Sequence, residues 1–317
     1  MSQIAVITQA YNAEKTIGRT VESVLAQTHT NFKYYLLDSA STDKTRNVIN
    51  EYAKQDARII PLHNDFNQLS AYMDKIPMMI DQSDEDGLFI MIDADDTYCP
   101  DAFEKLLKFK TEHNLDVAMA QYKAVSEETG LVTWDGRLKA DVIHDRDNYA
   151  WYFPAYYSRI RTVWNKMISF DILKKCDFTV AKSLVYGADT AFVLEVLKHT
   201  RNFGMMADSL YNYYVSTGSI SHKFMESRMM DGSNMFAIAH DFLATFSDVT
   251  QHNRNYLLHV YWNMIKASIQ LMNEAEVDAE AKLTHLKTII NDPLTKEAFL
   301  LTDIPDIEKF NLIETLF

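Results

Sequence analysis

The chain has 317 residues, 47% hydrophobic and 24% charged, with a net charge of −13. That balance belongs to a globular protein of about two structural units. Net acidity and the absence of any basic run exclude a general nucleic-acid-binding role.

The 2 cysteines, Cys99 and Cys176, lie far apart without metal-ligand spacing and read as reduced small hydrophobes in a reducing compartment. The first apolar run, Ile4 to Ile7, is too short for a signal peptide, and no stretch approaches the ~20 residues of a spanning helix. A cytoplasmic protein is expected, with peripheral membrane contact left open.

In chain order, Ile4 to Ile7 predicts a buried strand and Tyr11-Asn12 the turn after it. Between Ala13 and Gln27, the residues Ile17, Val21, Val24 and Leu25 recur at helical spacing. Tyr34 to Leu37 predicts a second strand ending at Asp38. Ser41-Thr42-Asp43 then offers caps for a helix through Val48, Ile49 and Tyr52. A third strand is expected over Arg58 to Leu62, and a helix over Leu69 to Ile80 whose last turns Pro77 disturbs. Asp84-Glu85-Asp86-Gly87 makes a turn, Leu88 to Ile92 a fourth strand, Pro100 opens a helix to about His113, and Asp116 to Ala120 is another strand. Strands alternating with helices argue for βαβ units and a mostly parallel sheet.

After about residue 121 the pattern loosens. A hairpin around Gly130 is expected over Ala124 to Thr133, helices over Trp164 to Cys176 and Asp189 to His199, and short strands over Phe203 to Ala207 and Tyr211 to Val215. From Phe224 the chain reads as helices over 224–247, 253–274, 278–291 and 305–316, with a boundary near 216–223. Such a helical tail suits packing onto the rest of the chain, self-association into a homo-oligomer, or a membrane surface.

The most informative segment is Leu88-Phe89-Ile90-Met91-Ile92 running straight into Asp93-Ala94-Asp95-Asp96. A buried strand there ends at a sheet edge and puts three carboxylates at the mouth of a cleft. Their repulsion is relieved by a divalent cation. Hard oxygen ligands suit Mg²⁺ or Mn²⁺ shared with substrate phosphates. With only 8 glycines and neither GxGxxG nor GxxxxGK[ST], no glycine-rich loop is on hand to cradle a diphosphate. Asp38 also follows a strand and would face the same edge.

Four blocks in order resemble the family-2 nucleotide-sugar glycosyltransferases of the GT-A fold, inverting enzymes of which many build bacterial capsule, lipopolysaccharide and other glycans. The first is Ile4 to Glu14 with its Tyr11-Asn12 turn, continuing into Ser23-Val24-Leu25-Ala26-Gln27-Thr28. The second, Leu36 to Thr45, is similar to the family's Asp-rich nucleoside loop, and Asp93-Ala94-Asp95-Asp96 to its DxD segment. The fourth comprises Trp164-Asn165-Lys166, Gly187-Ala188-Asp189, Leu210 to Tyr214 and Gly218-Ser219-Ile220-Ser221. The family often has a second acid where Ser39 stands, a Gly and an Arg-Asn pair where Asn67 to Asp74 have neither, and a Glu before Asp189.

The resemblance implies an α/β GT-A fold, Rossmann-like, with a mostly parallel central sheet flanked by helices and a C-terminal helical region. Residues 1–221 would form the catalytic domain, 1–120 its nucleotide-binding half and 121–221 its acceptor half, with 222–317 the helical region. It implies transfer of a hexose or N-acetylhexosamine from a nucleotide sugar, by resemblance a UDP-sugar, to a glycan, glycolipid or glycoprotein hydroxyl, with Mn²⁺ or Mg²⁺ as cofactor. Thr8, Ala10 and Tyr11 would line the base pocket and Asp38 would bind the nucleoside. Asp93, Ala94 and Asp95 form the DxD against the ribose and diphosphate, with Asp95 and Asp96 on the metal. Lys166 would contact phosphate or acceptor, and His222 would complete the metal shell, or touch phosphate, from a closing loop. Asp189 would be the general base, taking the acceptor hydroxyl proton as it attacks the anomeric carbon. Trp134, Trp164, Tyr156 and Tyr157 are candidates for stacking on sugars, although aromatics at such positions are more often core.

Two other readings compete. Asp93-x-Asp95-x-Thr97 after an apolar strand also matches the first motif of haloacid-dehalogenase-type phosphatases, with Asp93 as nucleophile. A non-catalytic sugar-nucleotide-binding protein is the other.

Overall fold

The computed structural model describes residues 2–215, 224–301 and 303–309. The chain forms two compact units that interleave in sequence. One comprises Met1–Arg146, Thr162–Lys182 and Glu195–Ser216; the other comprises Asp147–Arg161, Ser183–Leu194 and Thr217–Phe317.

The first unit is built on a ten-stranded sheet. Its strands are β1 (Ile4–Ala10), β2 (Phe32–Ser39), β3 (Ile59–Asn64), β4 (Leu88–Met91), β5 (Thr97–Tyr98), β6 (Val117–Ser126), β7 (Val132–Asp135), β8 (Val142–Asp145), β9 (Lys166–Ser169) and β10 (Asn202–Val215). Their order is β3-β2-β1-β4-β9-β6-β10-β5, with β7 on β6 and β8 on β10. The strands β3, β2, β1, β4, β6 and β10 all run one way, and β9 is antiparallel to both β4 and β6. The sheet is therefore mostly parallel, as expected. Residues Ile4 to Ile7 and Phe89 to Ile90 have no exposed surface, which is why these strands read as unbroken apolar runs.

Helices α1 (Ile17–Leu25), α2 (Thr45–Gln55), α3 (Ile76–Asp81) and α4 (Ala102–Glu112) follow the early strands. Further along come α5 (Tyr149–Ile160), α6 (Phe170–Leu173), α7 (Thr179–Ser183), α8 (Ala188–Lys198), α9 (Arg228–Ala244), α10 (Gln251–Glu274), α11 (Ala279–Asn291) and α12 (Pro293–Phe299).

Several elements differ from expectation. Pro77 does not disturb the end of a helix; it lies in the first turn of α3, where its missing N–H costs nothing, after a 3₁₀ turn over Ala71–Lys75. The helix expected over Trp164 to Cys176 is instead β9 followed by the short α6. Asn165 has φ +60°, which no helix accommodates, and Met167 and Ile168 fill the core between β4 and β6. The two strands expected at 203–215 are one strand, β10, with register shifts around Ser209 that break its alternation. β5, β8, α5, α7 and α12 were not expected.

In the second unit, α9 packs against α10, with Ser233 Oγ 3.3 Å from the Tyr261 hydroxyl. The side chains of Thr250, Asp278 and Asp292 cap α10, α11 and α12. Tyr149, Phe242 and Phe246 form an aromatic cluster, and Asn253 Nδ2 donates to the Ala150 carbonyl at 2.8 Å, tying α10 to α5. The expected helix at 305–316 is helical over 306–309, and 310–317 lie outside the described residues. Among the described residues no helix is long and apolar enough to cross a membrane.

Candidate active site

Strand register sets out one edge of the sheet in the first unit. Ala10 at the end of β1 is opposite Asp38 on β2, and Asp38 is opposite His63 on β3. On the other side of β1, Ile92 N–H donates to the Ile7 carbonyl at 3.0 Å, so Asp93 emerges at the same carboxyl-terminal edge. Ligands bind at that edge in open α/β sheets.

Around this edge the two loops after β1 and β2 are stitched together. The Asn12 carboxamide accepts from Thr42 N–H at 2.8 Å, the Ala13 N–H donates to Thr45 Oγ1 at 2.7 Å, and the Lys44 N–H donates to Glu14 at 2.9 Å. Asn12 and Ala40 both adopt positive φ. For alanine this conformation is costly, and here it accompanies the Ser41 N–H turning back to Asp38 Oδ1 at 3.2 Å. Asp38 has no exposed surface; its other oxygen accepts from Arg46 Nε at 2.8 Å. Thr8 and Ala10 are likewise closed into the core, with Thr8 Oγ1 paired to the Tyr34 hydroxyl at 2.8 Å. Tyr11, 47% exposed, is the member of the expected base pocket that reaches solvent.

The acidic tip has two kinds of carboxylate. Asp93, Ala94 and Asp95 are half-buried. Asp96 has no exposed surface: its Oδ2 accepts from the Tyr211 hydroxyl at 2.7 Å and its Oδ1 from the Tyr214 N–H at 2.8 Å. Its carbonyl accepts from Thr20 Oγ1 at 2.9 Å, and the Tyr211 hydroxyl accepts from Asp93 N–H at 3.2 Å. Arg19 of α1 completes the frame. Its Nε donates to the Asp95 carbonyl at 3.0 Å, its guanidinium pairs with Glu127, and it stacks 3.8 Å above the Tyr214 ring.

A model of glycosyl transferase family 2 matches residues 5–177, more than half of the chain. The chain belongs to that family and is a glycosyltransferase. It is similar to EpsH of Bacillus subtilis, 23% identical over 307 residues that cover 94% of this chain and 86% of EpsH. Among solved structures it is similar to S. aureus TarS 1-349 in complex with UDP-GlcNAc, with 17% identity, a TM-score of 0.67 and coverage of 90% of this chain and 79% of that one. It is also similar to the mannosyltransferase PcManGT from Pyrobaculum calidifontis in complex with GDP-Man and Mn²⁺, with 11% identity, a TM-score of 0.56 and coverage of 99% and 86%. These likenesses show the expected GT-A fold. Family membership sets aside both the phosphatase and the non-catalytic readings.

In this glycosyltransferase the chemistry of the tip fits a hard divalent cation. Burial raises the Asp95 carboxyl above its ordinary value, against the opposing pull of Arg19. Burial first, and then Asp95 beside it, push Asp96 well up too, although the Tyr214 N–H and Tyr211 hydroxyl favour its anion. Both acids are thus poorly stabilised as anions by the protein alone. Among the described residues, no three Asp, Glu, His or Cys ligand atoms gather at this tip. An ion held here needs further oxygens, as Mg²⁺ and Mn²⁺ do when they bridge one or two carboxylates to substrate phosphates.

Lys166 on β9 is 1% exposed, and its ammonium donates to the Thr162 carbonyl at 2.5 Å and to Asn165 Oδ1 at 3.0 Å. In this structure protein oxygens surround its charge. Asp189 is half-buried in the first turn of α8, in the second unit, after Gly187, whose φ of +87° and close approach to Met235 leave no room for a Cβ. His222 lies outside the described residues. Trp164, Tyr156 and Tyr157 are core, with Trp164 stacked on Tyr211 at 4.5 Å, whereas Trp134 is 45% exposed.

Arg19, Thr20 and Arg46 carry no motif in the sequence, and their contacts exist only once the loops meet. Tyr211 and Tyr214 stood within a family-like block, but nothing in that block assigned them to Asp96.

Proposed function

We propose that this protein is a metal-dependent inverting glycosyltransferase that moves a hexose or N-acetylhexosamine from a UDP-sugar to a hydroxyl of a glycan, glycolipid or glycoprotein. The observation that carries the proposal is the half-buried Asp93–Asp95 tip at the carboxyl edge of the parallel strands, with Asp95 desolvated and poorly balanced as an anion. The fold shared with TarS bound to UDP-GlcNAc and with PcManGT bound to GDP-Man and Mn²⁺ supports it.

In this reading Asp95, helped by Asp93, holds Mn²⁺ or Mg²⁺; Asp96, expected on the metal as well, has no exposed surface and an oxygen bonded to each of the Tyr211 hydroxyl and the Tyr214 N–H, and keeps the loop in shape instead. The bound ion would neutralise charge on the departing diphosphate. Tyr11 shapes the base pocket at the end of β1. Asp38 acts through Arg46 and the Ser41 turn as well as at the nucleoside. Asp189 takes the proton from the acceptor hydroxyl, and its place at a helix start favours the ionised form that a base requires. His222 remains a candidate for phosphate or metal.

Thermal-shift and calorimetric titration with a panel of nucleotide sugars, with and without Mn²⁺, tests the donor and the metal. Asp95→Asn is expected to lose Mn²⁺-dependent donor binding. Asp189→Asn is expected to keep donor binding and lose about 10²–10⁴-fold in transfer. Full transfer by Asp189→Asn would remove the base assignment, and metal-independent donor binding would remove the metal.

A further inference from the structure

From the side chains of Cys176, Glu195 and His199 in the first unit, we infer a second metal site, separate in chemistry from the acidic tip and suited to zinc. One ligand atom from each of the three lies within 4.8 Å of the others. Glu195 and His199 are one helical turn apart at the end of α8, with His199 Nε2 3.1 Å from Glu195 Oε1. Cys176 comes from the turn after α6. Zinc ligands at about 2.0–2.3 Å in tetrahedral geometry stand about 3.3–3.7 Å from one another, so small rotamer changes close this set on an ion.

The donor set decides the metal. Thiolate, imidazole and carboxylate together suit Zn²⁺, whereas Mg²⁺ and Mn²⁺ prefer oxygen alone. The surroundings supply outer contacts of the kind that orient ligands: the Asp177 N–H donates to Glu195 Oε1 at 3.1 Å, and the Ile172 carbonyl accepts from the Cys176 thiol at 3.3 Å. Lys198 lies 3.5 Å from Glu195 Oε2, and Oε1, which accepts from the Asp177 N–H, keeps a second lone pair for the ion once His199 Nε2 turns to the metal. Cys176 also lines an open cleft of about 540 Å³ with Met73, Phe178 and Lys182, which gives an entry path. Three ligands leave a fourth position for water. On binding, the Cys176 proton leaves to solvent as the metal–sulfur bond forms. The ion would fasten the end of α8 to the α6–α7 turn, and α8 is the helix whose first turn carries Asp189.

The test is titration of the full, chelator-treated chain with Co²⁺ alone, followed by Zn²⁺ alone. A thiolate-to-cobalt charge-transfer band that saturates stoichiometrically and is displaced by Zn²⁺ is expected. It should persist in Cys99→Ser, vanish in Cys176→Ser and be lost or weakened in His199→Ala. Zn²⁺ should raise the melting temperature of Asp95→Asn as it does that of the unaltered chain, which separates this site from the acidic tip. No band in the unaltered chain, a band that survives Cys176→Ser, or one unchanged in His199→Ala would overturn the site.

Discussion

The Tyr211 hydroxyl donates to Asp96 Oδ2 at 2.7 Å while accepting from Asp93 N–H at 3.2 Å, so one phenol fixes both ends of the acidic tip. Tyr211 and Asp96 have no exposed surface and Asp93 is half-buried, and β10 brings the tyrosine to both. Tyr211→Phe leaves a buried carboxylate oxygen and an amide short of a partner. A loss of about 1–3 kcal/mol in unfolding free energy is expected, together with a higher Mn²⁺ requirement in transfer assays. Asp96→Asn should follow the same course, because its one amide oxygen replaces two acceptors and its N–H₂ meets either the Tyr211 hydroxyl or the Tyr214 N–H donor to donor. Asp95→Asn should differ: unchanged or raised stability, since a desolvated anion is removed, with loss of the metal response. Denaturant melts set beside Mn²⁺ titrations of activity separate the two acids. Equal behaviour would show that Asp96 is not a brace.

Arg19 supports the same tip from the other side. Its guanidinium spans the Asp95 carbonyl and Glu127 and lies over the Tyr214 ring at 3.8 Å, a geometry that a lysine ammonium does not reproduce. Arg19→Lys is expected to keep the charge but lose about tenfold in kcat/KM, a ΔΔG‡ of about 1.4 kcal/mol, mainly through the metal dependence. Because Arg19 is partly exposed, little change in melting temperature should accompany it. An Arg19→Lys enzyme with unaltered Mn²⁺ dependence would show that the clamp does not position Asp95.

Much of this frame was legible in the sequence, for physical reasons. β1 and β4 are buried on both faces and therefore spell out unbroken apolar runs, and acids directly after them must lie at the strand ends. What was illegible depended on distant partners. Asp95 and Asp96 are indistinguishable as letters; the residues that tell them apart lie 115 and 118 positions later. Lys166 reads as a cation for phosphate or acceptor because half of its cage is main-chain carbonyl, which no sequence displays. β9 looked helical because one left-handed residue, Asn165, decides the path of the chain there.

The cage around Lys166 makes a prediction of its own. Lys166→Met is similar in length but leaves the Thr162 carbonyl and Asn165 Oδ1 without their donor in the core. A loss of about 1–3 kcal/mol in stability is expected. KM for the donor should stay near that of the unaltered enzyme at a temperature where both are folded. A raised donor KM with unchanged stability would instead return Lys166 to the phosphate-binding role.

Stability should also depend on pH through the second unit. His285 on α11 is buried, paired with Ser268 Oγ at 2.7 Å and packed edge-on against Phe224 at 4.9 Å. Burial lowers its pKa below the ordinary 6.5, with Glu226 opposing. In the window beneath 6.5 the unfolded chain therefore takes up a proton that the native ring refuses, and unfolding gains from acidification. The contribution of His285 is full above pH 6.5 and declines as the pH falls toward the lowered native value. Melting temperatures measured at pH 7 and pH 5 should differ less in His285→Gln, which keeps an amide near Ser268 but does not titrate. Parallel pH profiles for the two proteins would mean that the native ring accepts its proton as readily as the unfolded one.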